Sequence, residues 1–159
     1  MSKNIWIMAG CPGSGKTYYA KNTLMGNENW FYISRDEVRY SMLKDNDEYF
    51  SKETEVYKEF MRRINDIIMN EKDYNIIADA THLNTASRMK LINHLNMTDN
   101  INFYVVWMKT PETICQQRNK LRSGRACVPE DALHNMYKRR THPSKDNFKY
   151  TEILEVDDT

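Results

Sequence analysis

A glycine-rich segment near the N-terminus constrains the fold of this chain more than any other feature. Residues 10–17 read Gly-Cys-Pro-Gly-Ser-Gly-Lys-Thr and match the phosphate-binding pattern G-x-x-x-x-G-K-[ST]. The apolar residues 4–9 before it predict a strand, and residues 15–25 after it predict a helix with Gly26 as its C-cap. Because such a loop turns its backbone N–H groups inward between a strand and a helix, the segment predicts an α/β fold.

Each residue type in this loop suits the binding of a nucleoside triphosphate. The glycines permit unusual backbone dihedrals and a close approach to phosphate oxygens. Lys16 is placed to reach the β- and γ-phosphates, and the Thr17 hydroxyl is placed to hold Mg²⁺. We therefore expect ATP, or another nucleoside triphosphate, and Mg²⁺ as cofactors. The predicted nucleotide-binding residues in this loop are Gly10, Gly13, Ser14, Gly15, Lys16 and Thr17.

The rest of the chain alternates between apolar strands and amphipathic helices. Further strands are predicted over 30–33, 76–78, 103–108 and 153–156. Helices are predicted from 36 and over 48–70, 86–95, 112–121 and 129–140, with Ser34 and Thr85 as N-caps. The alternation predicts a P-loop NTPase three-layer sandwich, in which helices and an arginine-bearing lid flank a central parallel sheet of about four or five strands.

The composition is that of an ordinary folded domain. A length of 159 residues predicts a single domain over 1–159, since domains usually hold about 100–200 residues. No apolar run approaches the roughly 20 residues that span a bilayer, and no secretion signal is recognised. The three cysteines form no C-x-x-C pair and indicate reduced thiols. These features predict a cytoplasmic protein, or one of the host-cell cytoplasm if it is viral, with no membrane partner.

The charges are unevenly distributed although the net charge is only +1. Residues 45–73 contain nine acidic and five basic side chains, whereas residues 109–149 contain ten basic and four acidic ones. A basic segment of this kind is typical of a phosphate-binding face, and also of a solvated helical surface. The charge pattern leaves both interpretations open.

Residues after the second strand indicate what accepts the phosphate. The chain lacks the N-K-x-D motif of guanine-specific GTPases and is short for an ATP-driven motor, which favours a kinase. Asp36 follows the strand directly and is placed to accept a proton from an attacking hydroxyl. Arg39 lies three residues further along the predicted helix, where it shares a face with Asp36 and could hold a substrate phosphate. A helix N-terminal acid beside an exposed arginine is the alternative interpretation.

Two further segments carry candidate residues. Asp79 ends the third strand, where it could act on the metal shell or orient an arginine, and His82 is interpreted as a structural hydrogen-bonding residue. Residues 118–125 form a basic helix end and loop that we interpret as a lid over the nucleotide. Arginines in such a lid neutralise charge on the transferred phosphoryl group. The alternative is a solvated basic helix end.

From Ile5 to about Arg140 the sequence resembles the kinase domain of the phage-type polynucleotide 5′-kinase family. The motifs that carry the resemblance occur in family order. They are the loop at 10–16, Arg35-Asp36-x-x-Arg39, Asp79-x-Thr81, Arg118-Asn119-x-x-Arg122 and the stretch from Val128-Pro129 to Lys138. The resemblance implies transfer of the ATP γ-phosphate to the 5′-hydroxyl end of DNA or RNA.

The resemblance also implies roles for individual residues. Lys16 and Thr17 match the essential lysine and hydroxyl residue of the loop, and Asp36 matches the general base. Arg39 matches the arginine that grips the acceptor 3′-phosphate, and Arg122 matches the lid arginine. The predicted catalytic residues are Lys16, Asp36 and Arg122, and the predicted metal-site residues are Thr17 and Asp79. The predicted lid contacts to the nucleotide are Arg118, Arg122 and Arg125, and the predicted substrate-binding residues are Arg35, Asp36, Arg39, Asp79 and Thr81.

Three departures from the family pattern affect these expectations. The chain reads Asp-Ala-Thr-His at 79–82 where the family often has Asp-Thr-Asn. The lid is one residue longer before Val128, so Arg122 and Arg125 compete for the lid role. No Asp-x-Asp-Gly-Thr signature is present, and we expect no 3′-phosphatase domain.

Other functions remain open at the level of sequence. A kinase of the same fold could act on a nucleoside, another small molecule or a hydroxylated base in DNA. A nucleotide-dependent binding module without phosphotransfer is a candidate of a different class. The expected partners are nucleic-acid 5′-hydroxyl ends, and nothing in the sequence supports or excludes an oligomer.

Overall fold

The computed structural model describes residues 2–96 and 100–157. The strands are β1 (Lys3–Ala9), β2 (Trp30–Ser34), β3 (Tyr74–Asp79), β4 (Asn102–Met108) and β5 (Glu152–Val156). The α-helices are α1 (Lys16–Tyr19), α2 (Arg35–Met42), α3 (Glu53–Asn70), α4 (Thr85–Asn93), α5 (Glu112–Lys120) and α6 (Glu130–Lys138). Within these described residues no helix is long and apolar enough to cross a membrane.

The five strands form one sheet in the order β2-β3-β1-β4-β5, and every neighbouring pair is parallel. In the middle of the sheet Ile7 pairs with Ala78 on one side and with Val105 on the other. Parallel strands place all their carboxyl ends at one edge, where ligands bind in open α/β sheets. The predicted α/β fold with a parallel sheet flanked by helices is confirmed, with five strands.

Apolar side chains cover both faces of the sheet. Ile5, Ile7 and Ala9 of β1 face the larger hydrophobic cluster, which also contains residues of α2, α3 and α4. Met8 points to the opposite face and joins a smaller cluster with Ala20 of the segment after the loop. A strand buried on both faces explains why β1 is apolar without alternation.

Helix α3 is amphipathic as predicted but begins later than predicted. Its residues Val56, Phe60, Ile64 and Ile68 are buried at spacings of three and four. The helix starts at Glu53, so the expected start at 48 is wrong. Turns at 45–46 and 49–52 precede the helix instead, and the carboxylate of Asp47 accepts a hydrogen bond from the Lys44 backbone N–H at 2.8 Å.

The predicted N-caps of α2 and α4 have different outcomes. Ser34 caps α2 by accepting a hydrogen bond from the Glu37 N–H, as predicted. The N-cap of α4 is Asn84, so the assignment of Thr85 is wrong. Asn84 and Ser87 satisfy each other's backbone N–H groups in a reciprocal capping box, which Thr85 cannot do one position later.

The first helix does not end as expected. After Tyr19 the helix continues in π-helical form over Ala20–Leu24, and the Met25 N–H donates to the Ala20 carbonyl at 3.0 Å. Met25 itself is extended, so the helix has ended before Gly26 and the predicted glycine C-cap is wrong. Widened turns of this type occur often at functional sites.

Arg88 holds the segment after β3 against the segment after α6. It is only 1% exposed, and its guanidinium donates to the carbonyl oxygens of His82 at 2.9 Å and Thr141 at 2.7 Å. The Thr141 N–H in turn donates to the Leu83 carbonyl at 3.0 Å. These bonds fix the loop that follows Asp79 and therefore one wall of the site described below.

We predict that Arg88→Met lowers the free energy of unfolding by about 2–4 kcal/mol, because buried carbonyl oxygens lose a charged donor. Urea unfolding followed by circular dichroism measures this change. Arg62→Met is the matched control, since Arg62 is 63% exposed and pairs with Glu59 on the helix surface. That variant should leave the urea midpoint almost unchanged, because solvent screens an exposed ion pair. Equal effects of the two substitutions would contradict the role given to Arg88.

Candidate active site

The loop between β1 and α1 has the backbone shape that its glycines predict. Gly13 and Gly15 lie in the left-handed region, with φ of 82° and 89°. A Cβ at Gly13 would lie 2.6 Å from the carbonyl oxygen of Cys115, so the loop packs too closely on α5 for a side chain. Both the dihedral and the contact require glycine at position 13.

Hydrogen bonds from three directions hold this loop. The Gly10 N–H donates to the Thr81 carbonyl at 2.9 Å, which joins the loop to the end of β3. The Thr110 hydroxyl donates to the Ser14 carbonyl at 2.7 Å, and Arg118 donates to the Gly13 carbonyl at 3.2 Å. The loop is therefore fixed against β3, the end of β4 and α5 before any phosphate binds.

The first of two adjacent cavities lies over this loop. Its lining residues are Gly13, Ser14, Gly15, Lys16, Thr17, Tyr18, Arg118 and Arg122. All but Tyr18 belong to the predicted nucleotide-binding set. The Ser14 hydroxyl is buried and has no hydrogen-bond partner among the described residues.

Thr17 and Asp79 lie side by side, as the predicted metal-site residues should. The Thr17 hydroxyl donates to Asp79 Oδ2 at 2.8 Å, and the Tyr32 hydroxyl donates to the same oxygen. The other oxygen, Oδ1, is buried and accepts no hydrogen bond from the residues that the structure describes. Burial first, and then the charge of Asp79, raise the pKa of Tyr32, which keeps its proton and remains a donor.

This pair fits Mg²⁺ as it binds beside triphosphates. Mg²⁺ usually keeps several waters and takes one or two protein oxygens in addition to phosphate oxygens. Thr17 with Asp79 supplies oxygens of this kind. Consistently, residues 2–96 and 100–157 contain no cluster of three or more histidine, cysteine or acidic side chains that would enclose a metal ion by themselves.

The second cavity lies beside the first at the carboxyl ends of β2 and β3. Lys16 and Arg122 line both cavities. The second also brings together all five predicted substrate-binding residues, namely Arg35, Asp36, Arg39, Asp79 and Thr81. Tyr49, Phe50 and Glu53 line it too, and sequence reasoning did not identify them.

Glu53 accepts hydrogen bonds from both Arg35 and Arg39 in the second cavity. Arg39 is only 5% exposed, and its Nε and Nη2 donate to the two Glu53 oxygens at 2.7 Å each. Arg35 donates to Glu53 Oε1 at 3.2 Å. A buried guanidinium needs such a partner, so Glu53 balances the charge that the cavity presents.

Asp36 lies where Arg39 and Tyr49 converge. Its Oδ1 accepts hydrogen bonds from Arg39 Nη1 and from the Tyr49 hydroxyl, the latter at 2.6 Å. No hydrogen bond from another described residue reaches Oδ2. Arg39 Nη1 also donates to the Tyr49 oxygen at 2.9 Å, which closes a small network around the carboxylate.

The surroundings of Asp36 favour its ionised form. Burial by itself raises the pKa of the carboxyl, but the hydrogen bond from Tyr49 acts in the opposite direction. The positive charges of Lys16, Arg39 and Arg122 add to that second effect, and the pKa lies below its ordinary value. Asp36 is therefore an unprotonated carboxylate at neutral pH with one oxygen open to the cavity.

The two arginines that compete for the lid role occupy different places. Arg122 lines both cavities, close to Lys16 and Asp36. Arg125 donates to the carbonyl oxygens of Lys44 at 2.9 Å and Asp47 at 2.8 Å. Arg125 thus ties the lid to the loop between α2 and α3, and it is Arg122 that faces the cavities.

His82 has the surroundings of a structural residue. It is 7% exposed, and its Nδ1 lies 2.8 Å from the Met8 carbonyl oxygen, to which it donates. Burial lowers its pKa to about 4, so the ring is neutral at physiological pH. It braces the end of β1 against the segment after β3, in agreement with the sequence-based interpretation.

Comparisons with known proteins agree with this architecture. The model of the AAA domain family matches residues 5–143. A chain of the Pnkp1/Rnl/Hen1 RNA repair complex is 20% identical, with a TM-score of 0.67 over 86% of this chain and 43% of its own length. The chain described here therefore spans less than half of that relative.

Two further solved structures share the fold at lower identity. A fungal RNA kinase is 12% identical, with a TM-score of 0.62 over 98% of this chain and 75% of its own. A gluconokinase from Sinorhizobium meliloti 1021 is 16% identical, with a TM-score of 0.55 over 98% of this chain and 82% of its own. At these identities the likeness establishes the fold and leaves the acceptor open.

We predict that Lys16→Ala raises the Kd for nucleoside triphosphate by about tenfold or more, since a charge-assisted hydrogen bond contributes about 1.5–3 kcal/mol. Isothermal titration calorimetry with a non-hydrolysable ATP analogue and Mg²⁺ measures the Kd. Lys21→Ala is the matched control, because Lys21 lies five residues on and pairs with Glu37 at 3.4 Å on the surface. An unchanged Kd in the Lys16 variant would contradict the assignment of this cavity.

Proposed function

The chain belongs to the AAA domain family and is a P-loop kinase, and we propose that it transfers the γ-phosphate of ATP to the 5′-hydroxyl end of DNA or RNA. One observation carries the proposal. Two adjacent cavities share Lys16 and Arg122 as a common wall, and Asp36 lines the second of them together with Arg39. A phosphoryl group bound between them can pass from a donor on one side to a hydroxyl on the other.

The donor side holds the nucleotide in this proposal. The loop amides and Lys16 bind the β- and γ-phosphates. Thr17 and Asp79 would hold Mg²⁺, which neutralises charge on the phosphates when bound. Arg118 lines the same cavity, where it would cover the nucleotide base.

The transfer step uses residues on either side of the shared wall. The hydroxyl oxygen of the acceptor attacks the γ-phosphorus, and the bond from that phosphorus to the β,γ-bridging oxygen breaks, so ADP leaves. The hydroxyl proton passes to Asp36 Oδ2. Lys16 and Arg122 neutralise the charge that spreads over the γ-phosphoryl oxygens. Little covalent chemistry is required, so positioning accounts for most of the rate.

The arginines of the second cavity support an acceptor that carries phosphate. Arg39 directs Nη1 toward Asp36 and Tyr49, while Glu53 occupies its other donors. A phosphate next to the reacting hydroxyl would take the place of Tyr49 as an acceptor for Nη1. A nucleic-acid end has this arrangement of a terminal hydroxyl and a neighbouring phosphate, whereas a free sugar lacks the phosphate.

The C-terminal end of α6 offers a path for a longer strand. Lys138 and Arg139 are exposed there. Arg140 is engaged elsewhere, since its guanidinium lies 3.6 Å from the Tyr137 ring centre and 5.1 Å from that of Trp107. We therefore assign contact with the strand backbone to Lys138 and Arg139. The RNA repair complex and the fungal RNA kinase that share the fold are consistent with this acceptor class.

A second candidate function is phosphorylation of a small hydroxylated molecule or nucleoside by the same residues. The shared fold with a gluconokinase favours it. The two proposals differ in the acceptor and agree on the donor, so a panel of acceptors separates them. A nucleotide-dependent binding module differs from both because it would not need Asp36.

We predict that γ-labelled ATP transfers label to 5′-hydroxyl DNA or RNA and that Asp36→Asn lowers kcat by at least about 100-fold, as expected for loss of a general base. The assay includes nucleosides and gluconate as alternative acceptors. Asp66→Asn, at an exposed position of α3, is the matched control and should keep full activity. Label on gluconate alone would establish the second candidate. Full activity of Asp36→Asn would contradict the proton transfer.

In the same assay we propose that the chain releases no phosphate from 3′-phosphorylated DNA. This follows from the missing Asp-x-Asp-Gly-Thr signature within the sequence. Release of 3′-phosphate by the purified chain would contradict it.

We predict that Tyr49→Phe moves the acid limb of kcat/KM to higher pH. The hydrogen bond from Tyr49 lowers the pKa of Asp36, so its removal raises that pKa. As the pH falls, Asp36 in the variant is then protonated at a higher pH than in the parent protein. The measurement is the pH profile of kcat/KM for both proteins. Tyr40→Phe, whose ring packs 6.0 Å from that of Tyr49, is the matched control. Coincident acid limbs would show that Tyr49 does not tune the base.

A further inference from the structure

An aromatic surface lies at the mouth of the second cavity. We define it as Tyr40, Tyr49 and Phe50, which we call the aromatic rim. The ring centres of Tyr40 and Tyr49 are 6.0 Å apart, and those of Tyr49 and Phe50 are 4.6 Å apart with planes at 87°. Phe50 is 50% exposed and Tyr40 is 44% exposed.

Phe50 does not stabilise the core. It belongs to none of the three hydrophobic clusters formed by the described residues. It lines the second cavity, and the guanidinium carbon of Arg39 lies 5.4 Å from its ring centre. Its neighbour Tyr49 donates directly to Asp36. The exposed ring of Phe50 therefore lies next to the tyrosine that binds Asp36, the proposed proton acceptor.

The charges around the aromatic rim indicate what it contacts. The loop that carries Phe50 also carries Asp45, Asp47 and Glu48, and only Asp47 pairs with a lysine, Lys52 at 3.2 Å. Acidic side chains repel the phosphates of a nucleic-acid backbone and leave an uncharged base unaffected. The positive groups that attract phosphate lie deeper in the cavity, at Lys16, Arg39 and Arg122. An acceptor is therefore oriented with its phosphate inward and its base at the rim.

We propose that the terminal nucleobase of the acceptor stacks on Phe50 and that this contact selects nucleic-acid ends over hydroxyl acceptors without a base. The inference rests on the proposed function and adds to it a residue that decides the acceptor class. Every base has a flat face, so the contact tolerates all four. Stacking on one aromatic side chain changes affinity by about five- to hundredfold.

The contact between Phe50 and the terminal base is tested by combining one enzyme substitution with one change in the substrate. The substrates are a 5′-hydroxyl oligonucleotide and the same oligonucleotide with an abasic 5′-terminal residue, which keeps the hydroxyl and the phosphate. Parent enzyme and Phe50→Ala are compared with both. The abasic substrate should raise the KM of the parent by about five- to hundredfold. Phe50→Ala should raise the KM of the normal substrate similarly and leave that of the abasic substrate unchanged, with kcat altered little.

Two further variants separate stacking from a structural effect. Phe50→Tyr keeps an aromatic face and should restore the parent KM. Met69→Ala removes an apolar side chain that is 65% exposed on α3 and should change neither KM. Because Phe50 is half exposed, the alanine variant should fold, and a thermal melt confirms this.

The outcomes distinguish the inference from the function on which it rests. If both oligonucleotides are phosphorylated with the same KM by the parent, the stacking contact is wrong and the proposed function stands. A KM that rises equally for both substrates in Phe50→Ala would also overturn the contact, since it would indicate a structural effect. If neither oligonucleotide is phosphorylated, the function and the contact fall together.

Discussion

The parallel pairing of β2, β3 and β1 is the constraint on which the site depends. Met8 and Ser34 both pair with Asp79, so the ends of three strands lie in one row. The phosphate-binding loop begins after β1, α2 begins directly after Ser34, and Asp79 ends the strand between them. Residues as distant in the chain as Met8 and Asp79 are thereby brought to one edge of the sheet.

The charges at the carboxyl edge of the sheet determine the protonation state of Asp36. Glu53 satisfies the buried Arg39. Burial acts to raise the pKa of Asp36, but the hydrogen bond from Tyr49 and then the surrounding positive charges hold that pKa below the ordinary value. In the proposed transfer such a carboxylate is a weak base, and positioning and charge neutralisation contribute more than proton removal. In that proposal the arginines that lower the pKa of Asp36 also attract the phosphate of the acceptor.

The lid and the acceptor side form one connected structure. Arg125 binds carbonyl oxygens of the loop between α2 and α3, and that loop carries Tyr49 and Phe50. Arg122 lies three residues away and faces both cavities. Arg125 therefore connects the segment that lines the phosphate-binding cavity to the loop that carries the aromatic rim.

The sequence by itself determined the order of the elements, the phosphate-binding loop and the candidates at strand ends, because these follow from local spacing of apolar, glycine and polar residues. It could not identify Glu53 or Phe50, since contacts made across a cavity leave no local pattern. It could not separate Arg122 from Arg125, which share the same basic stretch. Only the tertiary structure showed which of these side chains line the cavities, because the direction of a side chain depends on what packs against it.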